Sequence, residues 1–175
     1  MSAALLHADP EPEPLRRWSI DLLLDDRAWL TRLPGALPLV RRAAWLTLSN
    51  QGAGPGGVTI VLADDPLLRK LNAAFRGRDR TTNVLSFPED EAGSSFGEIV
   101  VARRQLCREA RAQSKRPLAH LAHLVVHGLL HLFGHDHEAR AEAERMEWRE
   151  RKLLSALAFA DPYARPAKPA KQALA

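Results

Sequence analysis

The run from Pro117 to Gly134 constrains the fold most. Apart from its histidines and Gly128 it is almost wholly apolar, and it is framed by a proline suited to the first helical turn and a glycine suited to the left-handed residue that ends a helix. A helix that is apolar on most sides must be covered from more than one direction. It is therefore expected to be buried against a sheet, and the rest of the chain offers the strands. Trp18-Ser-Ile-Asp-Leu alternates like a half-buried strand, Val58-Thr-Ile-Val-Leu reads as a buried one, Asn83-Val-Leu-Ser-Phe is a third that stops at Pro88, and Glu98-Ile-Val-Val-Ala is a fourth. Helical spacing runs through Leu37, Val40, Ala44 and Leu48. Asp64 or Asp65 with Pro66 starts a helix to about Phe75, another spans Arg103 to Gln113, and an amphipathic helix from Glu138 to Phe159 is apolar through Ala143, Met146, Leu153 and Leu157.

The end of the central helix carries His127-Gly-Leu-Leu-His131-Leu-Phe-Gly134-His135-Asp136-His137. Histidines at i and i+4 differ by about 40° around a helix and lie ~6 Å apart along it, so both imidazoles can point at one ion. Gly134 lets the chain double back and bring a third imidazole, leaving a fourth tetrahedral position for water, as a catalytic site requires. His137 is the natural third ligand, with His135 as the alternative and Asp136 placed to orient a ligand from behind. His123 lies ~12 Å along the axis from His131, too far to share the ion on a straight helix, so it and His120 line the approach or pack. Three neutral nitrogen ligands suit zinc best. The spacing is close to the metzincin protease pattern, but Gly128 stands where a protease needs its general-base glutamate, which argues against peptide hydrolysis. A glycine there also allows backbone or substrate to approach the metal closely.

The expected architecture is thus α+β (α/β-like): a single small domain, a roughly four-stranded mixed sheet packed with about five helices, and a metal site at the C-terminal end of the central buried helix. At 175 residues the chain accommodates one such domain and not two. Residues 1–14 and 161–175 lack apolar periodicity and are expected to be unstructured, with 15–160 as the folded unit. The lone cysteine, Cys107, has no disulfide partner within the chain, no secretory signal is recognisable, and no run approaches the ~20 apolar residues of a membrane span. A cytoplasmic protein without a membrane partner is the natural expectation.

Charge is unevenly distributed. Between Arg69 and Arg80, five basic residues (Arg69, Lys70, Arg76, Arg78, Arg80) face one acid, Asp79, a local excess equal to the formal net charge of +4 for the whole chain. Arg104, Arg108 and Arg111 stand at i, i+4, i+7, forming a stripe able to track an RNA backbone or simply to face solvent. Aromatic residues make up 6%, too few for an extensive base-stacking platform, so affinity for RNA would be mainly electrostatic.

The segment at 127–137 resembles the signature of the YbeY family of bacterial zinc-dependent endoribonucleases and ribosomal RNA maturation factors. Two further blocks carry the same resemblance: Leu71-Asn-Ala-Ala-Phe-Arg76-Gly-Arg78-Asp79-Arg-Thr-Thr-Asn83-Val-Leu-Ser-Phe-Pro88, and Gly97-Glu98-Ile-Val-Val. The resemblance implies one divalent metal ion per chain, zinc, on His127, His131 and His137, with Arg76 facing it across the cleft as a catalytic group. A guanidinium there can hold the non-bridging oxygens of a phosphodiester as negative charge builds. Arg78, Arg104, Arg108 and Arg111 are candidate substrate contacts, and Glu98, which replaces the family's aspartate, is a candidate partner contact. His135 replaces the family's tyrosine. The implied activity is cleavage of single-stranded ribosomal RNA in 16S 3′-end maturation and ribosome quality control. The implied partners are rRNA and the small ribosomal subunit, with a ribosomal protein or an assembly GTPase as candidates. A non-catalytic ribosome-assembly factor with a structural metal is the competing expectation, and a metalloprotease ranks below both.

Overall fold

The computed structural model describes residues 4–6, 18–89 and 94–164. In chain order the elements are β1 (Ala4–Leu6), β2 (Trp18–Leu24), α1 (Ala28–Arg32), α2 (Ala36–Asn50), β3 (Gly56–Ala63), α3 (Asp65–Arg76), β4 (Val84–Pro88), β5 (Ser95–Ala102), α4 (Arg103–Ala112), α5 (Pro117–Leu132) and α6 (Arg140–Ala156). The strands form one mixed sheet in the order β1-β2-β3-β5-β4. Neighbours β2, β3 and β5 run parallel, and antiparallel β1 and β4 close the two edges.

All four expected strands and five expected helices are present, and β1 and α1 are additions. Strand β1 falls in the leader expected to be unstructured, where Ala4, Leu5 and Leu6 pair with Leu24, Leu23 and Leu22. Backbone pairing there shields what would otherwise be an open edge of β2. Helix α1 is anchored by Trp29, which is fully buried and donates its indole N–H to the carbonyl of Ala63 at 2.9 Å. Among the described residues, no helix is long and apolar enough to cross a membrane. The remainder of the expected unstructured ends, apart from Asp161–Ala164, lies outside the described residues.

Alternation along the strands divides the molecule into layers. Leu22, Val58, Ile60, Leu62, Ile99 and Val101 face a large core shared with α2 and α5, which α6 closes from outside. Residues one step out of phase, Val61, Ala63, Leu85, Val100 and Ala102, face a smaller core with Leu68 of α3. Helices α3 and α5 thus cover opposite faces of the sheet. The central helix expected from its apolar run is α5, with Leu121, Val125, Val126, Leu129 and Leu130 fully buried.

Gly128 has a different reason from the one the sequence suggests. It faces the sheet and not the cluster of histidines: a Cβ added there would meet Ile99 Cγ2 at 3.2 Å, Ser86 Oγ at 3.2 Å and Val84 Cγ2 at 3.3 Å. The Ser86 hydroxyl also donates to the Gly128 carbonyl at 3.0 Å. Glycine therefore lets α5 sit down on β4 and β5, a contact that sets the height of the helix above the sheet.

Candidate metal centre

Helix α5 ends in two backbone hydrogen bonds, Gly134 N–H to the His131 carbonyl at 3.0 Å and His135 N–H to the Leu130 carbonyl at 3.1 Å. With Gly134 left-handed at φ 76°, this pair is the Schellman termination that a glycine permits. The chain reverses immediately and returns His137 to the last turn. The Nε2 atoms of His127 and His131 are 3.2 Å apart. The His137 ring centroid lies 5.4 Å from that of His127 and 5.1 Å from that of His131. Each of the three offers a nitrogen within 4.8 Å of the others. A tetrahedral ion at ~2.0–2.1 Å from each ligand requires nitrogens roughly 3.4 Å apart, so the His127–His131 spacing suits a shared cation. Burial, followed by the charges of His127 and His137, pushes the His131 imidazole down to about 4, which keeps it neutral and ligand-competent at pH 7.

His135 turns away, its Nε2 meeting Gln51 Oε1 at 2.7 Å at the end of α2. Asp136 accepts the backbone N–H of His137 at 2.7 Å. It shapes the returning turn and does not orient a ring, as its sequence position had suggested.

Behind the cluster lies an acid that sequence reasoning missed. Glu150 of α6 is completely buried and accepts His127 Nδ1–H at 2.7 Å on one oxygen and His123 Nε2 at 3.2 Å on the other. Burial alone would raise its carboxyl, but the hydrogen bonds from His123 and His127 outweigh that and hold it at about 2. A carboxylate on the far nitrogen fixes the tautomer of a metal-binding histidine, leaving Nε2 as the donor. Of the two expectations for His123, its bond to the buried acid matches packing behind the cluster. Glu150, His123 and His127 also lie close enough together to hold an ion, yet their proximity is accounted for by the carboxylate's hydrogen bonds. Among the described residues no carboxylate hydrogen-bonds the rings of His131 and His137, so no shared anion accounts for the convergence of the three imidazoles at 127, 131 and 137, and they fit a cation. The clue was available in α6: position 150 falls on the stripe of Ala143, Met146, Leu153 and Leu157, where a charged residue needs a buried partner.

The model of the family described as endoribonuclease YbeY matches residues 40–158. The chain belongs to the YbeY family. A relative named endoribonuclease YbeY from Azorhizobium caulinodans is 44% identical over 157 residues, covering 85% of this chain and 98% of the relative. Another of that name, from a Chelativorans species, is 44% identical over 133 residues, covering 72% of this chain and 82% of its own length. The solution structure of TM1509 from Thermotoga maritima superposes with a TM-score of 0.52 at 26% identity, covering 85% of this chain and 99% of that one.

The basic residues expected to meet RNA, Arg76 from the YbeY resemblance and the others from their place in the sequence, are less gathered than the histidines. Arg76 is exposed at the C-terminal end of α3 and makes no hydrogen bond or ion pair with the cluster. Its helix covers the opposite face of the sheet from α5, but both helices finish at the same end. Phe75 packs edge-on to Phe87 at 5.0 Å and Phe133 against Phe96 at 5.3 Å, while Phe87 pairs in register with Glu98. The edge strand β4 therefore lies between Arg76 and the histidines. Arg78 is exposed beside it. Arg104 and Arg108 are held by ion pairs to Asp64 at 2.8 Å and to Asp65, so much of that stripe is neutralised, and Arg111 lies beyond these pairs. Glu98 is half-buried in β5 on the α3 side of the sheet, and burial raises its carboxyl.

Proposed function

We propose that the chain is a zinc-dependent endoribonuclease acting on single-stranded ribosomal RNA, in 16S 3′-end maturation and ribosome quality control in the cytoplasm. The observation that carries this reading is the convergence of His127, His131 and His137 at a glycine-terminated helix, with His127 backed by the buried Glu150. The YbeY endoribonuclease relatives supply the substrate class. When bound, zinc supplies Lewis acidity beside the phosphate and a water-derived nucleophile near neutral pH. The three imidazoles hold the ion, Glu150 orients one of them, and an RNA strand crossing β4 meets the histidines on one side and Arg76 on the other. Arg76 then holds the non-bridging oxygens as charge develops on the phosphodiester.

Cleavage of single-stranded rRNA by the purified, zinc-loaded protein is expected, and its loss on chelation, with recovery on adding zinc, ties it to the ion. Arg76→Ala should reduce kcat by about 100-fold or more, the scale of removing a charge-stabilising donor. Undiminished cleavage by Arg76→Ala or by the chelated protein overturns the assignment. One observation favours a second reading, an assembly factor whose metal is structural: the buried acid at the cluster is committed to His123 and His127, so it is not free to act as a base. Ribosomal-subunit binding by His131→Ala, with no nuclease activity in either form, selects that reading.

A further inference from the structure

Over its described residues, as far as Ala164, the chain beyond α6 stays on the domain. It turns at Ala158, with φ 63°, and runs back along the helix to Tyr163. Five contacts pin this strap. Asp161 accepts the Tyr163 backbone N–H at 2.9 Å and Arg151 Nε at 3.3 Å. Lys115 Nζ donates to the Pro162 carbonyl at 2.6 Å. The Arg151 guanidinium lies 4.9 Å from the Tyr163 ring centroid, and the ring meets His123 edge-on at 5.4 Å. All of this directs one hydroxyl: Tyr163 O–H donates to Glu150 Oε2.

Glu150 thus receives hydrogen bonds from three side chains, one of which is His127. We infer that Tyr163 is a positioning residue for the metal centre, acting through Glu150 to fix the orientation and basicity of His127, and that the strap Asp161–Ala164 belongs to the functional unit. The inference rests on the metal reading proposed above. Geometry separates it from mere packing of a chain end. The tyrosine ring is partly exposed, yet its hydroxyl reaches a carboxylate with no exposed surface, the same one that holds His127. With Oε2 held by Tyr163 and His123, Oε1 is left aimed at His127 Nδ1, and the carboxylate cannot rotate without breaking all three bonds. Burial and the Glu150 charge push the Tyr163 hydroxyl well above the usual phenol range, so it stays a donor.

Tyr163→Phe in the full-length protein keeps the ring and removes only the donor. Zinc affinity is read by competition with a chromophoric chelator, and ligand geometry by the visible spectrum of the cobalt(II)-loaded protein. Partners behind a metal-binding histidine are worth about 10- to 100-fold in affinity. Tyr163→Phe is expected near the lower figure, with displaced cobalt bands. In a Glu150→Gln background the same substitution should add little further loss, because its route to the metal is gone. Unchanged affinity and spectrum in Tyr163→Phe, or an equal loss in both backgrounds, overturns the inference while leaving zinc binding intact. A wild-type protein that binds no zinc overturns the metal reading and this inference together.

Discussion

At the scale of single residues, Gly128 and Glu150 each oppose local preference and each has a packing reason. Replacing Gly128 by alanine improves helix propensity by about 1 kcal/mol. The new methyl would press on Ile99 and Val84, β-branched side chains on strands with little freedom to move, and on the Ser86 hydroxyl, all at 3.2–3.3 Å. Overpacking of this kind costs about 1–3 kcal/mol. Gly128→Ala should therefore be net destabilising in urea unfolding of the metal-free protein, and a variant as stable as wild type or more so would show that the helix has room to rise from the sheet. The contrast between the two residues also measures what could be read from sequence. The histidine spacing was legible because helix periodicity is fixed, so residues 127 and 131 share a face in any helix. Glu150 belongs to another element, and its partner could be known only once α6 was docked on α5.

Between elements, the junction of α4, α5 and β4 depends on another acid. Glu109 accepts His120 Nε2 at 2.8 Å, Asn83 Nδ2 at 2.8 Å and Gln105 Nε2 at 2.8 Å, while Asn83 Oδ1 accepts the Val84 N–H that begins β4. Burial opposes its ionisation, but the hydrogen bonds from His120, Asn83 and Gln105 prevail and hold the carboxyl at about 2, against an ordinary 4.5. The folded value lies below the unfolded one, so its stabilising contribution is complete above pH of about 4.5 and is lost as pH falls towards 2. Unfolding by urea at stepped pH, with chelator throughout, should give a shallower acid limb for Glu109→Gln than for wild type. Identical slopes across that window would mean the network does not favour the charged form. Such junctions explain why the longer elements were legible and the shortest were not. Strands β2 to β5 and helices α2 to α6 show a repeat long enough to identify, whereas β1 has three residues and α1 five, and tertiary partners define both.

For the molecule as a whole, the question is which positive charge is available to RNA. The sequence offers two basic groups, the cluster at 69–80 and the stripe of Arg104, Arg108 and Arg111, and folding treats their members differently. Asp64 and Asp65, at the start of α3, hold Arg104 and Arg108, and Arg69 is held by Asp79 at 2.7 Å. Lys70, Arg76, Arg78 and Arg80 are exposed and make no ion pair among the described residues. They lie on α3 and the loop leading into β4, near the strand that separates Arg76 from the histidines. A cation already paired with a carboxylate releases fewer counterions from a phosphate backbone than a free one. The dependence of RNA affinity on salt should therefore distinguish the two groups, since each phosphate contact on a single strand contributes a slope of about 0.7 in log K against log salt. Arg78→Ala is expected to reduce the slope by about that amount, and Arg104→Ala to leave it nearly unchanged. The second variant should lose only up to ~1 kcal/mol of stability, because its ion pair is largely exposed on the arginine side. Equal losses of slope from both would place the RNA path along α4 as well, and no change from Arg78→Ala would move it off the β4 edge altogether.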